Sequence, residues 1–157
     1  MININSILGN IFKETSLEST NFEKLIISRI DLEKRILRKK TNLGTDIGIN
    51  LNSSTKLQHG DIIGSDETKI IVEQMPEKVI SVKLKENNEK IAILLGHIIG
   101  NRHRPIAIKD KMILFPIQED SELEIFQRLL KEIIDHIELK IEEEIFLPHT
   151  SADVHEH

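Results

Sequence analysis

Short apolar runs separated by turn residues dominate the first half of the chain, a pattern that predicts strands. Two such runs extend from Phe22 to Arg29 and from Arg35 to Thr41. In Thr45-Asp46-Ile47-Gly48-Ile49-Asn50-Leu51 the apolar residues alternate, as a strand with one buried face requires. Turn chemistry at Asn52-Ser53-Ser54 and His59-Gly60-Asp61 flanks Leu57, and Lys69 to Glu73 is a further strand. Residues 1–75 are therefore expected to form a small β-sheet or barrel-like domain.

Met75-Pro76-Glu77 marks a junction, because proline lacks a backbone N–H and biases the residue before it away from helix. Beyond it the rhythm changes. Val79 to Leu84 reads as a strand and Glu86-Asn87-Asn88-Glu89 as a turn, after which Ile91, Leu94, Leu95 and Ile98 recur at helical spacing. Gly100-Asn101 is expected to end that helix in the left-handed conformation. Strands follow at Pro105 to Lys109 and Lys111 to Pro116. Ser121 and Glu124 then form a capping-box pattern ahead of a stripe of Leu123, Phe126, Leu130, Ile133, Ile134 and Ile137. From Ile137 to Ile145 the period falls to two, giving a half-exposed strand.

The order βαββαβ predicts an antiparallel sheet with two helices on one face, the ferredoxin-like arrangement, over residues 76–148. The expected class is α+β: a β-rich N-terminal domain, a ferredoxin-like C-terminal domain, and a polar, aperiodic, mobile tail at 149–157 that carries histidines.

Composition narrows the function. A chain of 157 residues with net charge -5, 3% aromatic content and neither Trp nor Tyr offers no cationic or stacking surface for nucleic acid. Cysteine is absent, which excludes thiolate metal sites, disulfides and a cysteine nucleophile, so a metal ion must be held by His, Asp or Glu. No apolar stretch is long enough to span a bilayer, and Met1-Ile2-Asn3-Ile4-Asn5 lacks the charged and apolar regions of a signal peptide. The expected location is the cytoplasm.

Three of the seven histidines, His149, His155 and His157, fall in the last nine residues. In an extended chain His155 and His157 point to the same side, and imidazole suits Ni, Zn and Cu. Solvation alone also accounts for terminal histidines. His103 lies just past the first helix of this half, where a capping role is sufficient explanation. His59, His97 and His136 read as turn, helix and junction residues. The basic run Lys34-Arg35 with Arg38-Lys39-Lys40 reads as a charged strand edge that deters aggregation. No HExxH helix, phosphate loop or nucleophile motif is present, so an enzyme is not expected.

Gly100-Asn101-Arg102-His103-Arg104-Pro105 resembles the Gly-Asn-Arg-His-x-Pro stretch of the UreE family of urease accessory nickel metallochaperones. Arg35-Ile36-Leu37-Arg38-Lys39-Lys40-Thr41 with Gly44, then Leu57-Gln58-His59-Gly60-Asp61, is similar to that family's amino-terminal domain, and Phe146-Leu147-Pro148 with its histidine-bearing tail is similar to its end. The resemblance implies a peptide-binding-like first domain and a second domain that forms a homodimer with His103 at the subunit contact. The resemblance further implies that the tails close with His155, His157 or His149 over one shared Ni²⁺, with Zn²⁺ as the other ion such a set accepts. It also implies delivery of nickel, through a urease accessory GTPase complex, to the urease apoprotein. The strand Phe115-Pro116-Ile117-Gln118 lacks the histidines some relatives carry, and the tail is short, which implies one interfacial ion and not storage of many. The competing readings are a zinc-binding protein without a delivery role and a protein-interaction module whose tail histidines are incidental.

Overall fold

The computed structural model describes residues 1–13 and 22–149. The chain divides into two compact units at the step from Met75 to Pro76.

The first unit contains β1 (Ile2–Ile4), β2 (Gly9–Asn10), β3 (Glu23–Ile27), the single helical turn α1 (Arg29–Leu32), β4 (Ile36–Lys40), β5 (Asp46–Asn50), β6 (Asp61–Gly64) and β7 (Lys69–Gln74). They form a three-stranded sheet in the order β1-β5-β4 and a four-stranded sheet in the order β2-β6-β7-β3. β1 runs parallel to β5 and β3 parallel to β7; the remaining pairs are antiparallel. Alternation decides which side of each strand is buried. Ile47 and Ile49 of β5 join Ile4, Leu25, Ile27, Ile63, Ile70 and Val72 in one apolar core. The β6–β7 turn requires glycine: Gly64 has φ 112°, and a β-carbon there would collide with the Thr68 carbonyl.

Several strands differ from the sequence expectation in extent. The run from Phe22 stops at Ile27, because the Ser28 hydroxyl accepts the Asp31 N–H at 3.2 Å and starts α1. β1 and β6 were not expected as strands. Ile2 and Ile4 alternate over too few residues to signal one, and Asp61 to Gly64 adjoins the turn residues His59-Gly60.

The second unit contains β8 (Glu77–Leu84), α2 (Glu89–Gly100), β9 (Ala107–Lys109), β10 (Met112–Pro116), α3 (Glu122–Leu129), a 3₁₀ segment (Lys131–His136) and β11 (Ile137–Glu144). Its sheet is wholly antiparallel with order β11-β8-β10-β9, the ferredoxin-like topology expected from βαββαβ. Both ordered parts together give an α+β chain. Ile80, Val82, Phe115 and Ile137 face Ile91, Leu95 and Ile99 of α2 and Phe126 of α3. Val79 and Leu114, which point to the opposite face of the sheet, are covered by Phe146.

The start of α3 departs from the expected capping box. Ser121 already has helical angles and makes no side-chain cap, so Glu124 has no reciprocal partner. Glu122 takes over: its carboxylate accepts the N–H groups of Gln118 at 2.6 Å and Glu119 at 3.2 Å. The apolar stripe does not stay on one α-helix either. Leu130 breaks it at φ -100°, ψ 12°, and the 3₁₀ segment that follows keeps Leu130 and Ile133, three residues apart, on one buried side.

Candidate metal centre

Asn88 opens α2 by accepting the Ile91 N–H on its side-chain oxygen, 3.2 Å away. At the other end the chain unwinds through successive bonds: Asn101 N–H to His97 O (3.1 Å), Arg102 N–H to Ile99 O (3.0 Å) and His103 N–H to Gly100 O (3.1 Å). The left-handed residue is His103, with φ 54°, whereas Gly100 is helical and Asn101 has φ -65°. The expectation that Gly100-Asn101 would supply the reversal is therefore corrected: helical bonding continues through Asn101. A non-glycine residue held in this conformation costs about 1–2 kcal/mol, a strain the surrounding turn must over-determine. The His103 side chain is exposed to solvent.

Its neighbour is anchored inward. The Arg104 guanidinium donates to Pro116 O at 3.0 Å and to the Glu122 carboxylate at 2.5 Å, and lies over the Phe126 ring at 5.3 Å. This two-point, stacked arrangement ties the turn to the end of β10 and the start of α3. Burial alone would raise the Glu122 carboxyl, but the Gln118 N–H, the Arg104 guanidinium and the Glu119 N–H together hold it below its ordinary value of 4.5. A depressed folded-state value means stability that is present above the unfolded value and lost as pH falls through the folded one. The stability advantage of the parent over Glu122→Gln is accordingly expected to be full at pH 7 and to shrink below about 4.5, as read by urea unfolding at pH 7 and pH 3. An advantage that stays constant over that range contradicts the assignment.

After β11 the chain turns back toward the same region. Phe146 is 1% exposed against the sheet, and the His149 N–H donates to Ile106 O at 2.7 Å, three positions beyond His103. His149 itself is thus tied by its backbone, with its residue exposed, and the mobile tail expected from position 149 onward begins at a bonded residue. His155 and His157 lie outside the described residues, as does the rest of that tail. Among the described residues no three His, Asp or Glu side chains converge as a metal site.

The other histidines have local partners. His59 Nδ1 accepts the Gln74 N–H at 3.1 Å beside the Phe12 ring, His97 Nε2 lies 3.4 Å from the Asn101 amide, and His136 Nδ1 lies 2.8 Å from Glu86. What sequence reasoning missed is the support beneath the turn. Arg104 and Glu122 are 18 positions apart, and no local spacing rule connects them.

Residues 4–74 match the family model described as UreE urease accessory protein, N-terminal domain. A urease accessory protein UreE of Staphylococcus epidermidis is 37% identical over 131 residues, covering 83% of each chain. The chain belongs to the UreE family of urease accessory proteins. The UreE of Geobacillus kaustophilus is 34% identical over 115 residues, 71% of this chain and 74% of its own. That of Streptococcus vestibularis is 28% identical over 147 residues, 94% of this chain and 95% of its own, so the UreE similarity extends through both units. Among the described residues no helix is long and apolar enough to cross a membrane.

Proposed function

We propose that this UreE-family chain serves urease maturation as a nickel carrier, binding Ni²⁺ between two copies of itself and releasing it toward the urease apoprotein through the accessory GTPase. The observation that carries this reading is the placement of His103: an exposed imidazole on a strained, hydrogen-bonded turn. Strain of this kind persists where a site needs a side chain aimed in one direction.

Within one copy the described residues contain no three-ligand cluster. A two-fold axis through the turn doubles the single His103 into two facing imidazoles. The C-terminal segment supplies the remaining donors. His149 is bonded beside Ile106, and the six residues from there to His155 span at most about 20 Å when extended, ample to return to the turn. His157 follows two positions later on the same side of an extended chain. A set of neutral imidazoles without thiolate holds Ni²⁺ firmly enough to carry and loosely enough to release; Zn²⁺ fits the same donors. The chain performs no turnover in this role and works in the cytoplasm, where urease is assembled.

Truncation after Pro148, which removes His149, His155 and His157, tests the division of labour. Calorimetric titration is expected to show weakened Ni²⁺ affinity with the tight site still present. Parent-like affinity in the truncated chain contradicts a ligating tail, and complete loss contradicts a site founded on His103. In the parent, binding should weaken as pH falls, because protons compete with the metal for imidazole.

A further inference from the structure

We propose that Arg104, clamped by Glu122, is a positioning residue that fixes the direction of the His103 imidazole and thereby sets metal affinity, an inference that rests on His103 being a ligand. The two residues are adjacent but differ in burial. His103 is exposed, while the Arg104 side chain is 29% exposed and its Glu122 partner 16%. Because consecutive residues share a peptide plane, anchoring Arg104 restricts the backbone conformations open to His103.

The anchor has three parts. Two are the charge-assisted bond to Glu122 and the bond to Pro116 O; the third is the guanidinium plane on the Phe126 ring. Glu122 is in turn held by two backbone N–H groups. On the other side of His103, the bond from its own N–H to Gly100 O closes the turn. The left-handed backbone at His103 is therefore gripped from both sides, and only the downstream grip is made by a side chain. The same pairing relieves part of an electrostatic conflict, since Arg102 also flanks His103. A lone arginine beside the ligand would repel a divalent cation, but Glu122 neutralises this one.

The two possible roles of Arg104 give opposite signs. If Arg104 acted only as a nearby positive charge, Arg104→Met would tighten Ni²⁺ binding. As a positioning residue, its loss should weaken binding tenfold or more while the number of ions bound at saturation stays at the parent value, since outer partners of metal ligands typically act on affinity to that extent. Titration of the full chain with Ni²⁺, alongside urea unfolding, reads both quantities. Unchanged or tighter binding by Arg104→Met overturns the proposal. Should that variant fail to fold, Arg104→Lys decides. A lysine keeps the cation on Glu122 but neither bridges to Pro116 O with the same fork nor stacks as a plane, so affinity should fall measurably below the parent. Parent-like affinity in Arg104→Lys overturns the proposal equally. His103→Ala in parallel separates the two claims: if it retains the tight site, the ligand assignment fails, whereas if it loses the site and the Arg104 variants match the parent, only the positioning role fails.

Discussion

Replacing His103 by Ala is expected to lower Ni²⁺ affinity by at least about a hundredfold, roughly 2.8 kcal/mol, so that the tight phase of a calorimetric titration disappears. The magnitude follows from a bound. Loss of an outer partner of a ligand already costs about 10–100-fold, and on the proposed reading each substitution removes a ligand itself, twice in a symmetric dimer. Alanine is disfavoured at the φ of 54° that His103 adopts. His103→Asn is the useful companion, because asparagine tolerates the left-handed region better than most residues yet removes the imidazole. Both variants should lose the site. A tight site retained by either one would mean that the ligands lie elsewhere.

The second large effect concerns the floor under the turn. Phe126 is 1% exposed, its ring centroid lies 4.5 Å from that of Phe115, and the Arg104 guanidinium rests on its face. Phe126→Ala deletes a whole ring from this core and leaves a cavity between α3 and β10, a change that typically costs about 3–5 kcal/mol. A loss of that size is comparable to much of the stability of a small domain. Urea unfolding should therefore show a midpoint displaced far toward zero denaturant, with nickel binding reduced because the turn loses its support. A loss under about 1 kcal/mol would contradict the packing described here.

Much of this architecture was legible in the chain because the patterning and the topology agree. The alternation of Ile47 and Ile49, the helical recurrence of Ile91 and Leu95, and the period-two run from Ile137 each predict an element that exists. The order of those elements then leads to the ferredoxin-like sheet. Short strands such as Ile2–Ile4 were not legible, since three residues carry too little periodicity and gain their place by pairing with β5. Ser121 stands at the N-cap position of α3 as the pattern predicts, but its helical backbone angles leave the hydroxyl without a capping bond, and the Glu122 carboxylate gathers the preceding N–H groups instead.

The candidate site shows the same division. Spacing alone reads His103 as a capping residue and only the resemblance makes it a candidate ligand, while the left-handed conformation falls on His103 and not on Gly100-Asn101. A preference of glycine and asparagine for the left-handed region is only statistical, and the bonds from Asn101 and Arg102 back into α2 override it. Arg104 and Glu122 are brought together by the return of the chain through β9 and β10 into α3, a long-range contact that no local pattern encodes. The approach of His149 to Ile106 is of the same kind.

The central claim is that two copies share one nickel ion through His103. Molar mass by light scattering with and without Ni²⁺, combined with the metal content of each species, tests it most directly. The expected result is a dimer that carries one tightly bound ion per two chains, with no tightly bound ion in His103→Ala. A single chain holding its own tightly bound ion, or an ion that remains tightly bound to the dimer after His103→Ala, would contradict it.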